Sequence, residues 1–205
     1  VVVVSAFSGV TNRLEDLCNL ASSGDQGYKD ILGELTSQHH DVYDQLVKGN
    51  GKQFIDKQLS YLREVCDGIF LLKEITKKSN DYVMSFGERM SSIIISEYFN
   101  TLFPTALFDS RDYLVVDTEI SSTAVDMRAS ASKLADAPHF KQVNIFPGFI
   151  ASTKDAITTT LGRGGSDYSA ALLANLLSGE KLEIWTDVSG ILSADPNLVP
   201  QASVI

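Results

Sequence analysis

The chain has 205 residues, 44% of them hydrophobic and 21% charged, which is ordinary for one large globular domain. Its formal net charge is −9 at pH 7, and the absence of a basic stripe argues against a nucleic-acid partner. The sequence has no apolar run near 18 residues and no signal-peptide pattern, so we expect no membrane partner and a cytoplasmic location. Cys18 and Cys66 are expected to be buried, reduced thiols.

The first half of the chain predicts one buried strand followed by helices. Val1–Val4 is a run of β-branched residues, which is typical of a strand inside a parallel sheet. The small residues of Ser5–Asn12 predict a loop after this strand. Apolar residues at helical spacing then predict helices at about 14–21, 31–46, 54–77 and 82–102.

The second half predicts short strands that alternate with helical or irregular segments. The strands are expected at 105–108, 114–116, 143–146, 158–161 and 182–185. Ser121–Ala137 is polar and rich in small residues, so we expect a mobile surface segment there. A helix is expected from the glycine segment to about Leu177. The order of elements predicts an α/β protein with an open, mainly parallel sheet and helices on both faces.

A glycine-rich loop precedes that last helix. Gly162, Gly164 and Gly165 allow positive φ angles and a close approach of the backbone to a ligand. The loop leads into an apolar helical pattern, with Ser166 or Asp167 expected to cap the helix. A glycine loop at a helix N-terminus is suited to bind an anion, although a plain tight turn remains the alternative. It matches neither the P-loop nor the dinucleotide-binding motif.

Small or glycine-rich segments follow several of the predicted strands. They are Ser5–Asn12, Gly148–Ser152, Gly162–Ser166 and Thr186–Gly190. Because ligands of parallel α/β sheets bind at the carboxyl ends of the strands, these segments together would form a polar site. Each could also be an ordinary turn between a strand and a helix.

Several motifs in this chain match those of one family, in the same order. They are the loop at 5–12, Ser-Phe-Gly-Glu at 85–88, Gly-Phe-Ile at 148–150, the glycine segment at 158–168 and Glu-Ile-Trp-Thr-Asp-Val-Ser-Gly at 183–190. With these motifs, which span nearly the whole chain, it resembles the catalytic domain of aspartokinases, in the amino-acid kinase superfamily. The resemblance implies a three-layer sandwich with an open, mainly parallel sheet.

The resemblance also implies an activity. It is the ATP-dependent phosphorylation of the side-chain carboxylate of L-aspartate to 4-phospho-L-aspartate, the first step towards lysine, threonine and methionine. L-Aspartate and ATP with Mg²⁺ are then the expected ligands, and a homo-oligomer is expected. A carboxylate acceptor is ionised at neutral pH, so the reaction needs positioning and charge stabilisation rather than a general base.

The same resemblance assigns site residues. Those expected around the amino acid are Thr11, Glu88, Phe149, Thr160, Arg163, Ser166 and Asp167. Those expected near the nucleotide are Ser5, Gly9, Thr186, Asp187 and Leu192. No protein-held metal site is expected.

Arg163 and Asp167 are the expected catalytic residues. Arg163 would hold the α-carboxylate, and Asp167 would orient groups or hold the ammonium. Glu88 would suit the α-ammonium. Without the family pattern, Glu88 would be interpreted as a surface carboxylate, Asp167 as a helix cap and Asp187 as a turn residue.

The chain departs from the family pattern in two respects. The opening Lys-Phe-Gly-Gly-Thr segment, the later part of the kinase domain and the regulatory ACT domains are absent, so residues 1–205 are expected to be a catalytic domain incomplete at both ends. Leu192 also replaces a common aromatic residue. Two alternatives stay open: a fragment of a bifunctional aspartokinase/homoserine dehydrogenase, and a non-catalytic amino-acid-binding module.

Overall fold

The computed structural model describes residues 1–47, 49, 51–121, 123–186, 192–194 and 198–203. Helices are α1 Val10–Ser23, α2 Tyr28–Leu46, α3 Lys52–Leu72, α4 Lys77–Met84, α5 Phe86–Asn100, α6 Ser110–Tyr113, α7 Met127–Ala135 and α8 Gly165–Leu176. Strands are β1 Val2–Val4, β2 Thr105–Leu107, β3 Val115–Val116, β4 Val143–Pro147, β5 Ile150–Thr153 and β6 Thr158–Thr160.

The strands form two small sheets. In the first sheet the order is β1-β4-β2, and both pairings are parallel, with Val3 opposite Phe146 and Ala106 opposite Asn144. In the second sheet the order is β3-β5-β6, where β3 and β5 are parallel and β5 and β6 are antiparallel. Helices lie on both sides of the strands, so the predicted α/β class with a mainly parallel sheet is confirmed.

Two apolar clusters hold these layers together. The first joins α1 to α5 and includes Leu14, Leu35 and Met90, which are fully buried. The second lies between the strands and helices α7 and α8, where the rings of Phe108 and Phe146 stack with centroids 4.9 Å apart. Both cysteines are buried and unpaired, as predicted. No helix of the described residues has the length and apolar character needed to cross a membrane.

The helix boundaries between α3 and α5 differ from the prediction. The predicted third helix ends at Leu72, because Lys73 adopts a left-handed conformation with φ 52°. A new helix, α4, then begins after Thr76, whose hydroxyl accepts a hydrogen bond from the Ser79 backbone N–H at 3.1 Å. This capping box is a sequence signal for a helix start. The predicted fourth helix is therefore two helices, which meet at Ser85.

The prediction of a mobile segment at 121–137 was wrong for its second part. There α7 is capped by Asp126, whose carboxylate accepts hydrogen bonds from the backbone N–H groups of Arg128 and Ala129. Ser130 and Leu134 are buried, because this short amphipathic helix packs on the second cluster. A segment of small polar residues thus forms a helix that its cap and its tertiary contacts stabilise.

Two strand assignments also needed correction. The segment after Gly148 was interpreted as a loop, but Ile150–Thr153 is the buried central strand of the second sheet. Conversely, the predicted strand at 182–185 has no regular secondary structure, and Trp185 is 89% exposed. A strand needs a neighbour for its backbone hydrogen bonds, and residues 181–186 join no sheet in the described part of the chain.

Candidate active site

A cavity of about 350 Å³ lies where β1, β4 and β6 lead into their following loops. It is lined by Ser5, Ala6, Thr11, Glu88, Phe149 and residues 162–167. The loops after the parallel strands β1 and β4 therefore meet at one place, as expected for carboxyl ends of parallel strands, and the loop after the antiparallel strand β6 joins them. We call this space the first cavity.

The glycine loop forms one wall of the first cavity. Gly162 and Gly164 have φ angles of 76° and 70°, which only glycine adopts without strain. Gly164 is the N-cap of α8, and no side chain of the described residues caps this helix. The prediction that Ser166 or Asp167 caps it was wrong, because the turn of the left-handed glycine starts the helix earlier. Both residues occupy the first turn of α8, and both line the cavity.

Phe149 also lines the cavity, with its ring beside the glycine loop, and it is tightly held. Its φ angle is 64°, a strained value for a non-glycine residue, and strained backbone is common at functional sites. The Phe149 N–H donates to Ser169 Oγ at 2.9 Å, and its carbonyl accepts the Leu161 N–H at 2.8 Å. A Cβ atom at Gly165 would lie 2.7 Å from the Phe149 ring, so the ring can occupy this position only beside a glycine.

Glu88 supplies a buried carboxylate at the base of the cavity. It lies in the first turn of α5 and is only 4% exposed. Its Oε1 accepts the Ala6 N–H at 3.2 Å, whereas Oε2 is sealed from solvent and has no hydrogen-bond partner among the described residues. Burial raises the pKa of Glu88 to about 7. A cation next to Oε2 would supply the missing partner.

Arg163 and Asp167 lie on the exposed side of the cavity. Within the described ranges, no carboxylate is close enough to the Arg163 guanidinium to form an ion pair. The cavity thus carries one unpaired guanidinium and two carboxylates, those of Glu88 and Asp167. Opposite charges at different points of one small cavity are suited to a ligand that carries both an ammonium and a carboxylate group.

Other predicted residues lie elsewhere. Thr160 is in β6, and its hydroxyl faces the Asp81 carboxylate at 3.4 Å rather than the cavity. Gly9 is the N-cap of α1 and does not line the cavity. Sequence reasoning missed Asp81, which is buried and also accepts hydrogen bonds from Thr159 and Lys77. No motif marks Asp81, because its importance depends on its packing against β6.

A second cavity of about 740 Å³ adjoins the first and shares Ser5, Ser166 and Asp167 with it. Its other walls are the edge strand at 1–3, the apolar side of α8 and residues 181–185. Of the residues predicted near the nucleotide, Thr186 directly follows this wall, whereas Leu192 is half-buried and lines neither cavity. Asp187 lies outside the described residues.

The described residues contain no group of three or more His, Cys, Asp or Glu side chains placed to hold a metal ion. Asp167, at the junction of the two cavities, is their only shared carboxylate among these residues. A metal that arrived with a phosphate-bearing ligand would need only one or two protein carboxylates.

Comparison with known proteins assigns the chain to a family. The sequence model of the Amino acid kinase family matches residues 1–205. The chain belongs to the amino acid kinase family. Its relatives within the family include a bifunctional aspartokinase/homoserine dehydrogenase 1 of Zea mays chloroplasts, 33% identical over 213 residues, and an aspartokinase of Chlamydia trachomatis, 29% identical over 206 residues. All of this chain is matched in both, but only 23% of the maize protein and 46% of the Chlamydia protein.

A solved family structure has the same fold. E. coli aspartokinase III in complex with aspartate and ADP superposes on 99% of this chain with a TM-score of 0.86 and 30% identity. The same enzyme in complex with lysine and aspartate gives a TM-score of 0.81. The chain covers 46% of that protein. The structural agreement therefore covers the part of the family fold in which the first cavity lies.

Proposed function

We propose that this chain belongs to an aspartate kinase and forms its amino-acid and phosphoryl site, within one kinase catalytic domain over residues 1–205. The reaction is ATP-dependent phosphorylation of the side-chain carboxylate of L-aspartate to 4-phospho-L-aspartate, which leads towards lysine, threonine and methionine. One observation carries the proposal: Glu88, a buried carboxylate whose Oε2 has no hydrogen-bond partner among the described residues, lines the same small cavity as Arg163. The E. coli relative that holds aspartate and ADP supports it.

L-Aspartate fits the charges of the first cavity. Its ammonium group would bind the Glu88 carboxylate, which then gains the countercharge that its burial demands. Its α-carboxylate would bind the planar fork of Arg163. Thr11, Phe149 and Ser166 line the remaining walls and would orient the side chain of the substrate. Thr160 acts indirectly in this scheme, through its contact with Asp81.

The chemical step requires little from the protein beyond orientation and charge. An oxygen of the substrate side-chain carboxylate, already ionised, attacks the γ-phosphorus of ATP. A new O–P bond forms, the bond from the γ-phosphorus to the β,γ-bridging oxygen breaks, and ADP leaves with that electron pair. The N–H groups in the first turn of α8 would supply positive charge near the transferring group, while Arg163 holds the α-carboxylate. Asp167 orients the reactants at the junction of the two cavities.

The nucleotide is proposed to enter from the second cavity. Its volume of about 740 Å³ lies within the usual range for small-molecule and cofactor sites. Ser5, which lines both cavities, would lie near the phosphates, with Gly9, Thr186, Asp187 and Leu192 as further predicted contacts. Mg²⁺ would be held by Asp167 together with the phosphates, and it would neutralise phosphate charge.

A bifunctional protein is the second candidate. The Zea mays relative combines aspartokinase and homoserine dehydrogenase, and it matches this chain at 33% identity over 213 residues. A second catalytic domain would change neither the contacts of the first cavity nor the phosphoryl step. Assay of homoserine dehydrogenase in the full-length protein would distinguish the two forms.

The aspartate kinase proposal is tested by the product. The full-length protein is incubated with ATP, Mg²⁺ and L-aspartate, and the acyl phosphate is trapped with hydroxylamine and identified by mass spectrometry. We expect aspartyl hydroxamate with L-aspartate and none with L-glutamate. Binding of L-aspartate in calorimetry with no hydroxamate would instead indicate a non-catalytic amino-acid-binding module.

Homo-oligomer formation, a cytoplasmic location and the lack of nucleic-acid partners stay predictions. Leu71 and Leu72 at the end of α3 are each more than three-quarters exposed, and such apolar surface suits a contact between subunits. The plant relatives are chloroplastic. Sedimentation of the full-length protein and localisation of a tagged form would test these predictions.

A further inference from the structure

A separate cluster of charged side chains surrounds a cavity of about 90 Å³ between α3, α5 and the ends of β2 and β4. Its polar lining consists of Gln58, Arg89, Ser92, Asp109 and Arg111. We call it the arginine cavity. Arg89 directly follows Glu88 in α5, yet the two side chains line different cavities. No residue of the proposed aspartate site lines the arginine cavity.

Arg89 is a buried cation that forms no direct ion pair with a carboxylate among the described residues. It is 8% exposed, and its guanidinium carbon lies 4.2 Å from the centroid of the Phe86 ring and 5.4 Å from that of Tyr82. Its Nη1 atom is sealed and has no hydrogen-bond partner among the described residues. Burial, followed by the nearby Arg111, lowers the pKa of Arg89. Aromatic faces offset part of this cost, but they do not replace an anion.

The carboxylate of the neighbouring ion pair compensates the charge of Arg89 only in part. Arg111 Nε donates to Asp109 Oδ1 at 2.9 Å, and Arg111 Nη2 donates to Oδ2 at 2.5 Å. Both oxygens of Asp109 are thus engaged by one guanidinium in a fork-to-fork pair. Arg111 Nη1 reaches Thr158 Oγ1 at 3.2 Å. The lining of the arginine cavity therefore carries two guanidinium groups and one carboxylate, an excess of one positive charge.

A second polar atom of the cavity is also unsatisfied. Gln58 Oε1 is sealed and has no partner within the described ranges. A water molecule in the cavity would leave the charge of Arg89 unbalanced. An anion balances the charge and accepts hydrogen bonds from Arg89. The Gln58 amide can also turn to present its NH₂ group to such an anion.

We propose that the arginine cavity binds a small oxyanion of about the size of phosphate. Arg89 would be its main ligand, with support from Gln58, Ser92 and the edge of Arg111. The volume of about 90 Å³ is below the usual range for cofactor sites, so it suits a single oxyanion rather than a nucleotide. Inorganic phosphate, sulfate and a small carboxylate share this chemistry. The proposal does not depend on the function of the first cavity.

The test measures phosphate binding by calorimetry and by the shift in Tm, in the full chain at constant ionic strength set with chloride. Arg89→Met keeps much of the side-chain volume and removes the charge. Its control is Arg128→Met, which removes the same charge from an exposed position of α7. A third variant, Arg163→Met, reports phosphate that binds in the first cavity. Sulfate and acetate are titrated in parallel to rank the sources of the oxyanion.

Arg163→Met should keep the site in the arginine cavity and lose only phosphate that binds in the first cavity. We expect wild type and Arg128→Met to bind phosphate alike in the arginine cavity, and Arg89→Met to bind it there at least about tenfold more weakly, as for the loss of a buried charge-assisted contact. The rise in Tm with phosphate should vanish in the same variant only. Equal affinity in Arg89→Met, or a loss confined to Arg163→Met, would overturn the proposal. No readout requires kinase activity, so a failed activity assay leaves this result interpretable.

Two further measurements test the proposal if the Arg89→Met protein folds poorly. Arg89→Lys keeps the charge but loses the planar fork, and it should weaken phosphate several-fold. A crystal structure of the wild-type chain grown with phosphate should contain the anion beside Arg89. Water alone in the cavity at saturating phosphate would contradict the proposal.

Discussion

Asp81 and Glu88 are both buried carboxylates on neighbouring helices, with 5% and 4% of their surface exposed, yet their surroundings are opposite. Asp81 accepts hydrogen bonds from Lys77 at 2.5 Å and from Thr159 at 2.9 Å, with Thr160 at 3.4 Å. Among the described residues outside its own position, Glu88 accepts a hydrogen bond only from the Ala6 N–H, and its Oε2 has no partner there.

The difference separates a structural carboxylate from one available to a ligand. Donors of the chain itself satisfy Asp81, so its charge fixes α4 against β6. The chain leaves Glu88 incomplete, so its charge is costly until a ligand supplies a partner. A buried charged group that lacks a hydrogen-bond partner is therefore better evidence for a binding site than burial alone. The predictions below test this distinction.

The largest effect is expected from Asp81→Ala. Two threonine hydroxyls would lose a charged acceptor, and hydrogen bonds to charged groups contribute about 1.5–3 kcal/mol each, so the free energy of unfolding should fall by about 4 kcal/mol. Urea unfolding measures it. The control is Asp155→Ala, at an exposed position, which should change stability by less than about 0.5 kcal/mol. If the two variants are equally stable, Asp81 does not have the structural role described above.

Arg163→Ala should impair the kinase reaction without unfolding the protein. Loss of the group that binds the α-carboxylate should lower kcat/KM for aspartate, mainly through a higher KM. The decrease should correspond to a loss of about 3 kcal/mol of transition-state stabilisation. Steady-state kinetics of the full-length protein measures this, with Arg128→Ala as the exposed control. Unchanged kinetics in a folded variant would show that Arg163 does not contact the substrate.

The raised pKa of Glu88, about 7, makes stability depend on pH. The folded state binds the Glu88 proton more tightly than the unfolded state does. The protonated carboxyl therefore stabilises the fold fully below about pH 4.5, and this stabilisation is lost as pH rises through about 7. The free energy of unfolding of wild type, relative to Glu88→Gln, should fall by about 2–3 kcal/mol over this interval. Aspartate should reduce the fall, since its ammonium stabilises the ionised carboxylate. If the difference in free energy of unfolding between the two proteins does not change with pH, the burial of Glu88 is contradicted.

The smallest effect is expected from Glu88→Gln on ligand binding near pH 7.5. Loss of the countercharge should weaken aspartate by about 1–2 kcal/mol, while ATP affinity stays nearly constant. Calorimetry with each ligand separates these effects, and Glu180→Gln is the matched exposed control. If ATP affinity falls and aspartate affinity does not, Glu88 belongs to the nucleotide side.

Local patterns were sufficient for the elements that depend on near neighbours in sequence. The run at Val1–Val4 predicted β1, and the apolar spacing from Leu14 to Ala21 predicted the buried side of α1. The glycine segment predicted left-handed backbone before α8, since only glycine tolerates it without strain. Family motifs also indicated most of the residues that line the first cavity.

Long-range packing decided the remainder. Glu88 is buried because α5 packs under the loop of Ala6, 82 residues away, and no local pattern reports such a distance. Phe149 Cδ2 fits only because the Gly165 position lacks a side chain. The apolar residues at 182–185 have strand character, but a strand forms only where a second strand lies beside it, and the residues of one segment cannot specify that second strand. The sequence by itself determined the local backbone and the periodic faces, because steric limits and side-chain spacing act over a few residues. Only the tertiary structure decided which charges are satisfied and which remain open, because desolvation and hydrogen bonding are set by groups that folding brings from distant parts of the chain.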